Sequence, residues 1–263
     1  MPALAHRIDF MAFISVSGAN PNGDPRRSGI PRTDGSGRGV ISAVCIKRKL
    51  RDRLAEMGEN IFVSPPGYPG DDLAKRAASL PKGYDYTKRA CEKWFDVRCF
   101  GQVFAFPGIK APGIKGAVTI QQAVSLHPVE IIQTSITRCI AGSRNSPAGS
   151  VGFVSSVKYG LYVLKGSVNA YAAEKTGFSH KDCEKLRQAI LHIFDNDSSA
   201  ARPAGSMELN RLYWWEHNTA VGDYSPARVF GAVRAELLSP EPLCFEDYRL
   251  THDPLPGLLP EIY

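Results

Sequence analysis

Basic side chains are concentrated in one short part of this 263-residue chain, where they could bind phosphate groups. Residues 26–53 carry nine Lys and Arg side chains against two Asp, a net charge of +7, whereas the whole chain carries +6. The other residues therefore sum to −1, and this local excess favours one specific polyanion site over general stickiness. The basic residues are Arg26, Arg27, Arg32, Arg38, Lys47, Arg48, Lys49, Arg51 and Arg53.

The glycine content of the same region supports phosphate binding but excludes the common nucleotide motifs. Residues 18–39 contain six glycines and three prolines, and they precede a helix predicted over 40–57. No Lys follows the glycines at Walker A spacing, and a dinucleotide fingerprint would need glycine at Val40 or Ser42. Backbone amides and a helix N-terminus attract anions, so a row of phosphates fits better than one nucleotide. The alternative is a solvated basic face whose charges pair with acids elsewhere.

The remaining candidate residues do not form a catalytic or metal site. The histidines lack HxxxH and HExxH spacing, no two cysteines form a CxxC pair, and no GxSxG motif is present. Asp195 and Asp197 resemble the start of an EF-hand loop, but Ala200 and Ser206 replace its Gly and Glu. We therefore expect no catalytic residue, no metal and no cofactor. Reduced cysteines and the lack of a signal or membrane segment predict a cytoplasmic protein.

Periodicity in the chain predicts an α+β fold that would position the basic segment. The region 18–39 is too rich in glycine and proline for a helix or a sheet strand. Stripping out long loops leaves the order β-α-β-β-α-β, the ferredoxin-like pattern that RNA-recognition modules share. Trp214 and Trp215 point to opposite faces of the last strand, so at least one is core and the other is a candidate for base stacking. The predicted elements are a strand at 7–17, a helix at 40–57, extended runs at 117–126 and 129–140, a strand within 154–173, a helix at 180–196 and a strand at 207–215.

Several motifs resemble one family when they are taken together and in order. NPNGDP at 20–25 is followed by IPRTD at 30–34 and AVCIKRKLRD at 43–52, and the match continues through most of the chain. The sequence resembles the repeated backbone subunit of type I CRISPR interference (Cascade) complexes, in the Csd/Csh branch of the Cas-seven superfamily. The residues of these motifs are typical of type I-C. The later motifs are FDVRCFG at 95–101, ITR at 136–138, VKYGLY at 157–162 and SAARP at 199–203.

The resemblance implies a right-hand-shaped single domain with a ferredoxin-like, RRM-like palm. Two insertions would interrupt the palm, and the composition of the last residues predicts an acidic, proline-rich tail after it. The implied division is a palm core of 5–58, 96–138 and 154–235, a finger insertion at 59–95, a thumb hairpin at 139–153 and a tail at 236–263.

The implied function is a non-catalytic scaffold for CRISPR RNA in antiviral defence. Copies of the subunit would form a head-to-tail filament along the guide spacer, beside other Cascade subunits, and each thumb would displace a nucleotide at regular intervals. Exposed guide bases would pair with target DNA. The implied RNA-binding residues are Asn20, Asn22, Arg26, Arg32, Ser42, Lys47, Arg51, Arg138 and Arg144.

A rival from another class is a metal-independent endonuclease that processes CRISPR RNA on a related ferredoxin-like scaffold. Such cleavage usually needs a general base such as His near the scissile phosphate. The basic segment 26–53 contains no histidine, which argues against this rival.

Overall fold

A computed structural model describes residues 2–67, 71–81, 83, 85–109, 111–137, 139 and 151–263. Short 3₁₀ turns lie at Pro25–Arg27 and Phe245–Asp247. The helices are α1 (Ala43–Glu56), α2 (Leu73–Ala78), α3 (Tyr86–Lys93), α4 (Phe95–Phe100), α5 (Ala170–Thr176), α6 (His180–Leu191) and α7 (Pro226–Gly231). The strands are β1 (Ile8–Ala19), β2 (Gly23–Asp24), β3 (Ile30–Pro31), β4 (Arg38–Ile41), β5 (Gly101–Gln102), β6 (Ile114–Lys115), β7 (Val118–Ile120), β8 (Ala123–Pro128), β9 (Ile131–Thr137), β10 (Val151–Val168), β11 (Met207–Glu216), β12 (Val233–Leu237), β13 (Tyr248–His252) and β14 (Glu261–Ile262).

The main sheet has the strand order expected of the predicted fold. Its path is β14-β11-β1-β10-β8-β4, and its pairs are antiparallel. Keeping only β1, α1, β8, β10, α6 and β11 gives β-α-β-β-α-β in the chain, with the two central strands β1 and β10 flanked by β11 and β8. This is the ferredoxin-like arrangement. The predicted α+β, palm-like fold class is confirmed.

The first hydrophobic core lies between this sheet and helices α1 and α6. Every second residue of β1 from Ile8 to Val16 faces this core, as alternation in a strand requires. Ile46, Leu50 and Leu54 recur at three- and four-residue spacing on α1 and are fully buried there. On α6, Ser179 and Asp182 form the predicted capping box. Burial of these stripes fixes which side of α1 faces outward.

The glycine-rich region 18–39 is more regular than its composition predicts. Strands β2 and β3 form a short hairpin within it, and Arg38 begins β4, which pairs with β8 at the sheet edge. The expectation that this region holds no sheet strand is wrong, because cross-strand partners stabilise an extended backbone that local propensity disfavours. The helix therefore begins at Ala43 rather than residue 40, and Ser42 caps it by accepting a bond from the Cys45 N–H (3.3 Å).

A second core covers part of the opposite face of the sheet. Phe13, Tyr213 and Trp215 project from β1 and β11 and pack under α7 and the segments around Tyr248 and Leu258. Much of this cover comes from the acidic, proline-rich tail predicted at 236–263, whose β14 also pairs with β11. The tail therefore contributes a hydrophobic layer to the domain.

A third, smaller core holds the segment predicted as the finger insertion. Phe62, Trp94 and Phe104 are buried together, with ring centroids of Phe62 and Trp94 4.8 Å apart. The cluster continues to Ile114, beyond the predicted boundary at 95. Of the thumb hairpin predicted at 139–153, residues 140–150 lie outside the described residues; β9 and the first part of β10 form the ribbon that leads to it. No helix within the described ranges is long and apolar enough to cross a membrane.

Candidate nucleic-acid interface

The two predicted asparagines anchor the glycine-rich loop to the start of α1. The Asn22 side-chain oxygen accepts a hydrogen bond from the Ser42 N–H (2.9 Å). The Asn22 backbone carbonyl accepts a second one from the Arg32 N–H (3.0 Å). The Asn20 side-chain amide donates to the Gly29 carbonyl (2.6 Å). Both asparagines are only half-exposed. They therefore shape the loop through bonds within the protein.

The N-terminus of α1 presents the positive end of the helix dipole. The first turn contains no Asp or Glu, and the Val44 side chain at that turn is 74% exposed. First-turn N–H groups lack partners within a helix and carry the positive end of its dipole. Because Asn22 ties the loop to Ser42, the loop and this helix end form one continuous surface.

The basic segment separates into paired and unpaired cations. Arg26, Arg27, Arg38 and Lys47 have no carboxylate within ion-pair distance among the described residues. The alternative of a basic face paired with acids elsewhere therefore holds for about half of the segment. The pairs are Arg32–Asp24 (3.8 Å), Arg48–Asp52 (2.5 Å), Lys49–Asp197, Arg51–Asp96 (2.8 Å) and Arg53–Glu56 (3.0 Å).

Lys47 and Arg51 share one side of α1, as their spacing predicts, but they differ in what they contact. Both cations lie over the Phe100 ring, at 5.3 and 5.2 Å from its centroid. Arg51 donates from Nε to the buried carboxylate of Asp96 and is largely covered. Partial burial and the neighbouring Arg51 charge lower the pKa of Lys47 from its usual value. Lys47 is therefore the half-exposed cation of this pair that lacks a carboxylate.

A segment far along the chain completes this surface. The Asn20 N–H donates to the Ala201 carbonyl (2.8 Å), which brings the 199–203 motif beside the glycine-rich loop. Arg202 donates from Nε to Asp197 (3.0 Å), and Lys49 binds the same carboxylate. The site prediction omitted Arg202, although the SAARP motif that contains it was one of the signals of the family.

Three other predictions concern the thumb arginines, the two adjacent tryptophans and the absence of a metal site. Arg138 and Arg144 lie outside the described residues. Trp214 and Trp215 are each 1% exposed and belong to the two different cores, so neither stacks on a base. Within the described part of the chain, no three His, Cys, Asp or Glu side chains are arranged to hold a metal ion.

Comparison with known families decides the relationship that the motifs indicate. A model of the family described as CRISPR-associated protein Cas7 matches residues 6–253. The chain belongs to the Cas7 family. That match includes the glycine-rich loop, α1, the finger segment and the 199–203 motif.

Related proteins and structures agree with this membership. A CRISPR-associated protein Cas7 from Haloferax volcanii is 25% identical over 237 residues, which cover 79% of this chain and 69% of that protein. A chain of a CRISPR RNA-guided surveillance complex in a pre-nicking state has a TM-score of 0.54 at 15% identity, over 80% of this chain and 78% of its own. A chain of a second CRISPR RNA-guided surveillance complex has a TM-score of 0.51 at 17% identity, over 80% of this chain and 68% of its own. At these identities the structures support the Cas7-like fold.

Proposed function

We propose that this Cas7 chain is the CRISPR RNA-binding backbone subunit of a type I surveillance complex of the I-C kind. Copies assemble head-to-tail along the guide spacer, with other Cascade subunits, and present guide bases for pairing with target DNA. The observation that carries the proposal is the surface formed by the glycine-rich loop, the N-terminus of α1 and the unpaired cations Arg26, Arg27 and Lys47. The residues of the motifs at 20–25 and 43–52 support the I-C assignment.

The chemistry of this surface suits the RNA backbone rather than base edges. A scaffold that holds any guide sequence must contact phosphates and sugars, which carry no sequence information. Arg26 and Arg27 are exposed cations on the loop, and Lys47 lies on the helix that follows. Arg32 and Arg51 are held by Asp24 and Asp96, so their main contribution is to fix the loop and the helix face. Arg138 and Arg144 remain proposed thumb contacts.

A filament requires surfaces that meet neighbouring copies, and the ribbon toward the thumb offers one. Ile136 is 52% exposed and Phe153 is 69% exposed on the β9–β10 ribbon. Exposed apolar side chains concentrated on one projection are typical of interaction sites. Head-to-tail contacts are heterologous and do not close, so they extend along a line.

Removing two unpaired cations should weaken RNA binding without regard to sequence. We expect Arg26→Ala with Lys47→Ala to reduce affinity about equally for unrelated guide spacers, because only phosphate contacts are lost. The slope of log K against log salt should become shallower by about 1.4, since each phosphate contact to a single strand contributes about 0.7. Fluorescence anisotropy over a salt series would measure this.

The control for this experiment removes the same charge from another surface. Lys175 and Lys181 are exposed and lie on α5 and α6, so Lys175→Ala with Lys181→Ala should leave the slope unchanged. A loss that depends strongly on guide sequence would contradict backbone binding. Arg51 is kept intact in this test, because its removal would also leave the Asp96 carboxylate uncompensated.

Incubation with CRISPR RNA separates the scaffold from the rival endonuclease. We expect assemblies whose mass grows with spacer length and no new RNA ends, because no histidine lies in the basic segment. His127, on β8 beyond that segment, stacks on Tyr248 with centroids 5.6 Å apart. Sizing by mass photometry and mapping of RNA ends would test both expectations. Specific cleavage by the purified chain would favour the endonuclease.

A further inference from the structure

The face of the sheet opposite α1 is only partly covered and keeps an open trough. Two adjoining depressions of about 270 and 420 Å³ lie along β7, β8 and β10, and both are lined by Gln121 and Phe230. Strand β1 contributes the buried Met11 and Phe13 to the floor of the first depression. The tail and α7 cover the β11 side of this face, so the trough is what remains exposed on the β8 side.

The charges along the trough are of one sign. No Asp or Glu lines either depression within the described part of the chain, although the whole chain has 26 acids. Arg38 and Lys165 line the first depression, and neither has a described carboxylate within ion-pair distance, although Asp34 accepts a bond from the Arg38 N–H (2.9 Å) and interacts electrostatically with Arg38. The Lys165 ammonium lies 5.7 Å from the centroid of the Phe230 ring. A ligand with more than one negative charge would find two cations here and no carboxylate in the lining.

The same trough combines these cations with a flat aromatic ring and amide groups. Tyr171 lines the second depression and is 54% exposed, so its ring is accessible to a partner. Gln121 and Gln122 are exposed, and Gln121 lines both the depression with the cations and the depression with this ring. An aromatic platform beside a positive track is the recurring composition of sites for single-stranded nucleic acids. An acidic peptide would use the cations but would leave Tyr171 without a planar partner.

We propose that this trough binds a segment of single-stranded nucleic acid that is not paired to the guide. Its phosphates contact Arg38 and Lys165, and one base stacks on Tyr171. The trough lies on the face of the sheet opposite α1, and Lys165 and Tyr171 lie outside the basic segment, whereas Arg38, on β4 at the sheet edge, belongs to that segment as well. The inference rests on the proposed function only in supplying a guide-loaded assembly in which a second strand is present.

The test uses the assembly reconstituted with guide RNA and a fluorescent oligothymidylate that is not complementary to the guide. Arg38→Gln with Lys165→Gln should make the salt slope for this strand shallower by about 1.4, the contribution of two phosphates. Tyr171→Ala should weaken the affinity for this oligothymidylate by about fivefold or more, the usual effect of removing a stacking platform. Guide loading, measured separately, should not change in Tyr171→Ala or in Lys165→Gln alone; Arg38 is left out of this comparison because it belongs to the basic segment 26–53. Lys88→Gln with Lys181→Gln removes equal charge elsewhere and should have no effect.

Several results would overturn the proposal. One is an assembly that does not bind oligothymidylate, or binds it equally well in all variants. Another is polyglutamate that displaces the strand as readily as an unlabelled oligothymidylate, which would assign the trough to an acidic protein. Loss of guide RNA in the Tyr171 variant would place this residue on the guide surface instead. Failure of guide loading in the wild-type chain would refute the proposed function itself, and this result is distinguishable from a loaded assembly that does not bind oligothymidylate.

Discussion

Asp96→Ala should cost the protein about 3–5 kcal/mol of its free energy of unfolding, the usual result of removing one partner of a buried ion pair. The Asp96 side chain is 1% exposed and accepts bonds from Arg51 Nε (2.8 Å) and from the N–H groups of Phe62 (2.7 Å) and Val63 (3.1 Å). The variant leaves a covered guanidinium and two backbone donors without an acceptor. The melting temperature should fall on the order of 10 °C for a domain of this size.

Two further variants make this result specific to the buried carboxylate. Asp52 also pairs with an arginine of α1, but its side chain is 50% exposed, so Asp52→Ala should cost less than about 1 kcal/mol. Asp96→Asn keeps an acceptor for the backbone and should lie between the two alanine variants. Urea titration followed by circular dichroism would rank them. Equal stabilities of the Asp96 and Asp52 variants would contradict the importance of this junction.

The junction also has a functional consequence, because Asp96 joins the finger segment to the helix that carries Lys47. Phe62 and Val63 begin the finger core, and Arg51 lies one turn after Lys47 over the same Phe100 ring. The motif FDVRCFG thus contributes the carboxylate of Asp96 and the ring of Phe100 to one contact. We expect Asp96→Asn to weaken RNA binding less than the Arg26 and Lys47 double variant does, because it removes no cation.

The location of the basic surface could be predicted from sequence, but the state of each charge could not. Local composition identifies the segment 26–53, since the excess of Lys and Arg there is a property of neighbouring residues. Pairing is set by residues distant in the chain: Lys49 meets Asp197, and Arg51 meets Asp96. Arg202 approaches the loop for the same reason. Spacing within one helix carries no information on these contacts.

Parts of the fold can also be predicted from the residues of one element, whereas others depend on contacts with distant parts of the chain. Alternation in β1 and β11 and the stripe on α1 predict the ferredoxin-like order, because each pattern needs only its own element. The sequence pattern does not predict strand β4, because the stability of this strand comes from pairing with β8 and the stretch that leads into it is rich in glycine and proline. Nor does it predict the cover on the second face, since an acidic, proline-rich composition is typical of a surface tail.

Because the tail and α7 cover this face of the sheet, we expect the second large effect on stability at Trp215. On the open face of an RNA-recognition module, aromatic side chains of the sheet stack on bases. Here Trp215 is 1% exposed and stacks on Tyr213 at 5.8 Å between centroids, under the layer that Tyr248 and Leu258 help to form. Trp215→Ala should therefore lower the free energy of unfolding by about 3–5 kcal/mol, because it opens a large cavity in this core.

The two possible roles of Trp215 predict opposite results in a paired measurement. A core role reduces stability and leaves the guide RNA affinity of the folded fraction unchanged, and Trp215→Phe recovers part of the lost stability. A stacking role would instead reduce RNA affinity by about 1–3 kcal/mol and leave unfolding nearly unaffected. Urea unfolding and anisotropy in native buffer separate these outcomes. Because the tail supplies part of the cover, we expect the core result, with single-strand contacts on this face confined to the trough near Lys165 and Tyr171.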